Sequence, residues 1–149
     1  MLRIRLAVLG SLTCAFALAS PAIAQDATPA PATPHTIVIK LVERAGPTPF
    51  AFEPATFSAQ RGDTLRFVQF AATMHNVHFK TMPKGSKLGS AAISSYLTTK
   101  GQAYSVVVDS RFAVGNYEIV CDPHELVGMH AILTVTEPSV AAASSSSQH

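Results

Sequence analysis

Charge, cysteine and helix signals are all scarce in this sequence. Charged residues make up 13% of the 149, tryptophan is absent, and there are two cysteines. With 11 basic and 9 acidic residues and no basic stripe, the chain lacks the counterion release that drives nucleic-acid binding. Two cysteines are too few for a disulfide scaffold. No apolar run reaches the roughly 20 residues that a membrane-spanning helix needs. No internal repeat is evident, and no helical pattern alternates with the strands as a parallel α/β sheet would require.

What the chain does have at its start is an export pattern. Arg3 and Arg5 precede the nearly uninterrupted apolar run Leu6 to Leu18, and Ala22, Ile23 and Ala24 form a small-x-small site before Gln25. Residues 1–24 are therefore expected to be a cleaved signal peptide, and the protein to be periplasmic or otherwise exported. Cleavage takes Cys14 away and leaves Cys121 alone. A lone cysteine in an oxidising compartment is buried, reactive, paired with another chain or bound to metal. It also removes two of the 11 basic residues, so the mature chain carries nine of each sign. Residues 25–34, QDATPAPATP, read as an Ala/Pro linker, and residues 138–149 as a disordered Ala/Ser tail. The folded domain is expected over residues 35–137, as a monomer.

Within it, TIVIKLV at Thr36 to Val42 alternates, with Ile37, Ile39 and Leu41 on one face. Further strands are expected within Phe52 to Ala59 and over Thr64 to Phe70, Thr73 to Phe79, Ala103 to Val108, Asn116 to Cys121 and His130 to Thr136. Lys80 to Gly101 reads as a long excursion with one helical turn near Ala91 to Tyr96. Seven or eight short strands with regular turns predict an all-β, Greek-key antiparallel sandwich or barrel. Tyr117, Ile119 and Cys121 then share the inner face, and Cys121 leaves its strand pointing inward.

Chemistry concentrates at YEIVCDPHELVGM. Cys121, His124 and Met129 are three soft ligands on one loop, with Pro123 restricting it and Gly128 allowing a tight turn. A thiolate and imidazoles with a weak thioether suit a mononuclear electron-transfer copper site, which needs a second histidine. His75 and His78 are the local candidates. Being three apart on an extended strand, they face opposite ways. Asn76 favours His75, because its amide could tie that strand to the ligand loop from the outer shell.

HNVHF followed by YEIVCDPHELVGM and AILTV resembles the plastocyanin and pseudoazurin branch of the cupredoxins, whose pattern is an HNV strand upstream of CxPHxxxGM. The likeness covers Thr36 to Thr136 and includes the FxPxxFxxxxGDTLxF run at Phe52 to Phe67. It implies that His75, Cys121, His124 and Met129 ligate one copper ion cycling between Cu(II) and Cu(I), that Asn76 braces the site, and that the protein shuttles single electrons between redox partners. It implies no enzyme activity. Outer-sphere transfer would pass through His124, ringed by Pro123, Leu126 and Val127. Protonation of a ligand histidine at low pH should compete with copper.

The chain also departs from that pattern. Plant plastocyanins carry Tyr before the copper cysteine and an acidic docking surface; here Val120 stands there and no acidic cluster is seen. His78 replaces the aliphatic residue usual in HNVxF, and His130 stands at a varied position before Ala131, where Gly is common; both are read as part-exposed histidines, a second weak metal site or a pH-sensitive docking surface being the alternatives. A copper carrier using the same ligands without redox cycling, and a thiol enzyme built on Cys121, are the competing functions.

Overall fold

A computed structural model describes residues 33–138. The expected signal peptide, almost all of the linker and nearly the whole tail lie outside the described residues. Among those described, no helix is long and apolar enough to cross a membrane.

Eight strands form two four-stranded sheets. They are β1 (Thr36–Glu43), β2 (Phe50–Glu53), β3 (Thr56–Gln60), β4 (Thr64–Gln69), β5 (His78–Thr81), β6 (Ala103–Val107), β7 (Gly115–Val120) and β8 (His130–Thr136). One sheet runs β2-β1-β4-β6 and the other β3-β8-β7-β5. The sandwich is as expected, but its pairing is mixed: β1 pairs β4 in parallel, and β3 pairs β8 in parallel. The reason is a change of sheet after β2. Phe52 to Ala59, read as holding one strand, holds parts of two; β2 stays beside β1 while β3 crosses to β8.

Alternation builds the core between the sheets. Ile39 and Leu41 of β1, Leu65 and Phe67 of β4, and Tyr117 and Ile119 of β7 are all fully buried. Phe67 sits at the centre, with the rings of Phe52, Phe57, Phe79 and Tyr104 all within 6.3 Å. Phe67 and Phe79 meet edge to face across the two sheets at 6.1 Å. Each fully buried side chain of this size contributes about 1.5–3 kcal/mol from area alone. Tyr117 keeps its hydroxyl satisfied through Ala113 O at 2.8 Å and Ser86 Oγ at 2.7 Å, as a buried phenol must.

Two departures lie next to the cysteine loop. Thr73 to Phe79 is not one strand: regular pairing begins only at His78, and His75 makes an isolated bridge with Leu97. The backbone here bonds to the excursion instead, through His75 N to Leu97 O at 3.1 Å, Leu97 N to His75 O at 2.7 Å and Val77 N to Ser94 Oγ at 2.9 Å. The helical turn in the excursion is a short 3-10 segment at Gly89–Ala92. Val120, placed by alternation on the face away from Cys121, is buried too. Both sides of the chain are therefore covered where β7 ends.

Candidate metal centre

β7 delivers Cys121 to the end of the sandwich with its side chain inward and fully buried. The strand cannot continue, because Pro123 enters a 3-10 segment at Asp122–Val127. His124 N bonds Cys121 O at 2.9 Å, and the turn closes on Gly128, whose φ of 89° is in the left-handed region. The left-handed backbone favours glycine at Gly128, and a Cβ there would lie 3.1 Å from Thr48 Cγ2, which would have to give by a few tenths of an ångström. Met129 then pairs back onto the start of the loop, with Cys121 N to Met129 O at 3.3 Å and Met129 N to His124 O at 3.2 Å. Its side chain is completely buried.

Three donor atoms converge above this loop. Cys121 Sγ lies 3.4 Å from His75 Nδ1 and 3.4 Å from His124 Nδ1, and the two Nδ1 atoms are 3.0 Å apart. His75 and Cys121 are buried and His124 is partly exposed. The Phe50 ring of β2 covers both imidazoles, at 4.0 Å from His124 and 5.4 Å from His75. His75 Nε2 is buried with no partner in the protein, so the ring is oriented by packing and by what its Nδ1 faces.

Electrostatics make the site neutral without a cation. Burial, then the neighbouring His124, lowers the His75 pKa to about 4. Burial also lowers that of His124, with Glu43 opposing. The Cys121 thiol is pushed up by burial and by the Asp122 charge, against backbone hydrogen bonds from Asn76 and His124. A thiol proton can satisfy only one of two facing imidazole lone pairs. A cation would satisfy all three donors, and a point equidistant from them is about 2 Å from each, close to a metal–imidazole bond. The donor set therefore fits a thiophilic metal.

The structure thus brings His75, Cys121 and His124 together and ends the loop on a buried Met129. Asn76 ties its segment to the loop, its Oδ1 accepting from Asp122 N at 2.9 Å and its Nδ2 donating to Asp122 Oδ2 at 2.6 Å. Burial works against the Asp122 charge, but the bonds from His78 and Asn76 outweigh it and hold its carboxyl below the usual range. His78 turns away from the three donors to Asp122, and His130 pairs with Glu118 at 3.1 Å. Among the described residues the His75, Cys121 and His124 group is the one cluster of three or more His/Cys/Asp/Glu residues that could hold a metal. Sequence reasoning missed Phe50 and Asp122. Phe50 carries no local signal, since it lies 25 residues from His75. Asp122 could have been noticed as one of the two residues between Cys121 and His124.

Comparison with known proteins gives the same answer. The plastocyanin of Scenedesmus fuscus is 30% identical over 101 residues, 66% of this chain and 98% of that protein. The plastocyanin of Prochlorothrix hollandica is 32% identical over 107 residues, 71% of this chain and 77% of the relative. The solved plastocyanin of Dryopteris crassirhizoma shares the fold, with a TM-score of 0.55 at 23% identity, covering 67% of this chain and all of that one. Residues 34–136 match the family described as "Copper binding proteins, plastocyanin/azurin family", and with three converging donors at the end of a β-sandwich, the chain belongs to that family.

Proposed function

We propose that this is an exported electron carrier in which His75, Cys121, His124 and Met129 hold one copper ion and electrons pass through His124. The observation that carries the reading is the convergence of Cys121 Sγ with the two Nδ1 atoms. Copper supplies a one-electron couple at such a site. Cys121 loses its thiol proton on metal binding, since burial otherwise keeps it neutral. The loaded site then has one positive charge when oxidised and none when reduced. His75 remains neutral at pH 7, and Met129 adds a thioether without charge. The backbone bonds linking Cys121, His124 and Met129 keep the ligands in place through both charge states, which keeps reorganisation small.

His124 is the donor nearest solvent. Leu126 and Val127 of the same turn are exposed, as is Met74 beside His75. Apolar groups around one ring edge suit brief docking of a redox protein, burying under roughly 1,200 Å². Residues 1–24 would direct the chain to the periplasm. Burial of His75, Cys121 and Met129 favours retention of the metal over delivery of it. Burial also raises the Cys121 pKa, the opposite of what a thiol nucleophile requires.

Metal analysis with visible spectroscopy and voltammetry tests the reading. One copper per chain, a strong thiolate-to-copper band and a reversible one-electron wave are expected. A colourless protein that quickly surrenders Cu(I) to a chelator would sink the shuttle in favour of a carrier.

A further inference from the structure

His78 takes no part in the donor cluster, yet it is not a loose surface histidine. It opens β5 opposite Val120 of β7, level with the residue before Cys121. Its Nδ1 lies 2.7 Å from Asp122 Oδ1. The other carboxylate oxygen is taken by Asn76 Nδ2, and Asn76 Oδ1 is in turn taken by the Asp122 backbone N–H. Three side chains are thus joined through one carboxylate. Two of them follow His75 in the chain, and the third follows Cys121. A carboxylate only accepts, so His78 Nδ1 donates, as either the Nδ1–H neutral tautomer or the imidazolium does.

We infer that His78 is a positioning residue of the copper site: through Asp122 it locks the Asn76 side chain and fixes the spacing between the His75 segment and the Cys121 loop. The inference rests on the ligand set proposed above. An aspartate bonded at one oxygen alone can rotate about its Cβ–Cγ bond, whereas bonds at both oxygens fix its plane. The consequence reaches the donors because Asn76 directly follows His75 in the chain and Asp122 directly follows Cys121. Two other contacts, Lys80 with Glu125 and His130 Nε2 with Glu125 O at 3.1 Å, hold the later part of the same turn. His78 and Asp122 hold its start, where Cys121 is attached. Their side chains are 25% and 40% exposed, against 47% for both partners of the Arg44–Glu53 pair. An isolated pair of that second kind contributes little; the first belongs to a connected set.

The test compares His78→Val, which keeps a strand former and removes the donor, with His78→Gln, whose amide can still donate to Asp122. Copper-loaded protein is assayed for Cu(I) release to a chelator and for its Cu(II) spectrum. Metal-free protein is assayed by NMR for solvent exchange of the Asn76 side-chain amide. H78V is expected to release Cu(I) about 10-fold faster, in the range for loss of groups that orient metal ligands, to shift the thiolate band and to deprotect Asn76. H78Q should restore most of each, and adding H78V to D122A should change little beyond D122A alone. Wild-type behaviour of H78V in all three measurements would overturn the brace, as would equal losses in H78V and H78Q with additive effects alongside D122A. Deprotection of the Asn76 amide by H78V, together with a wild-type protein that shows no thiolate-to-copper band, would support the brace and overturn the copper reading instead.

Discussion

His75 and His124 present the same ring atom to the same point, yet almost everything behind the two rings differs. His75 is fully buried on a segment whose backbone is bonded to Leu97 and Ser94. His124 is partly exposed on one 3-10 turn closed by Gly128, next to a Leu126 that is completely exposed. Phe50 is the surface they share. The difference teaches a division of labour. The buried side holds its imidazole in a fixed place and keeps it neutral, and the surface side leaves a ring edge partly open to solvent, where the proposed function puts the partner.

Removing the atom common to both sides has the largest expected effect. Cys121→Ser should abolish the thiolate-to-copper band while circular dichroism stays that of a β-sandwich. Unchanged metal content and spectrum in that variant would count against every ligand assignment here.

The buried side is expected to govern acid sensitivity. The folded pKa of His75 is about 4, below its ordinary value of 6.5, so the unfolded chain binds more protons between those values. Stability of the metal-free protein should therefore fall as pH drops through 6.5 toward 4. By pH 4.5 the loss is about 2–3 kcal/mol, read from urea midpoints at several pH values. A flat profile would show that the ring is not desolvated as the structure has it.

Phe50→Ala sharpens the comparison by uncovering both rings together. A partly buried aromatic should cost about 2 kcal/mol in the metal-free protein, less than a fully buried one, together with faster copper loss. Gly128→Ala acts on the surface side alone. The left-handed backbone and the approach to Thr48 predict a cost of about 1–2 kcal/mol, measurable by chemical denaturation, with displacement of His124 seen as a shifted copper spectrum. The smallest change in stability belongs to Leu126→Lys, within about 0.5 kcal/mol. It should nevertheless slow electron self-exchange, measured by NMR line broadening in mixtures of oxidised and reduced protein. Unaltered self-exchange would mean that electrons do not pass over the His124 turn.

Much of this was legible from residue order. Ile37, Ile39 and Leu41 alternate with more exposed neighbours because a strand has a period of two, and the same period aimed Tyr117, Ile119 and Cys121 inward. His75 and His78 were expected on opposite faces, and one is buried with the donors while the other meets Asp122 outside them. The parallel pairing of β1 with β4 was not legible, because alternation gives a strand's faces and not its neighbour. Nor was the irregular path of Thr73 to Val77, whose backbone partners lie 17 and 22 residues away at Ser94 and Leu97.

The sequence by itself determined the candidate ligand types and their loop, since Cys121, His124 and Met129 lie within nine residues and Pro123 and Gly128 dictate the turn between them. It also made the strands, whose pattern is local. Only the tertiary structure decided that Nδ1 of His75 reaches the same point from 46 residues away, that Phe50 covers both rings, and that Asp122 unites Asn76 with His78. Those contacts come from packing two sheets against each other, and a separation in space of 3 or 4 Å between distant residues leaves no periodic trace in the chain.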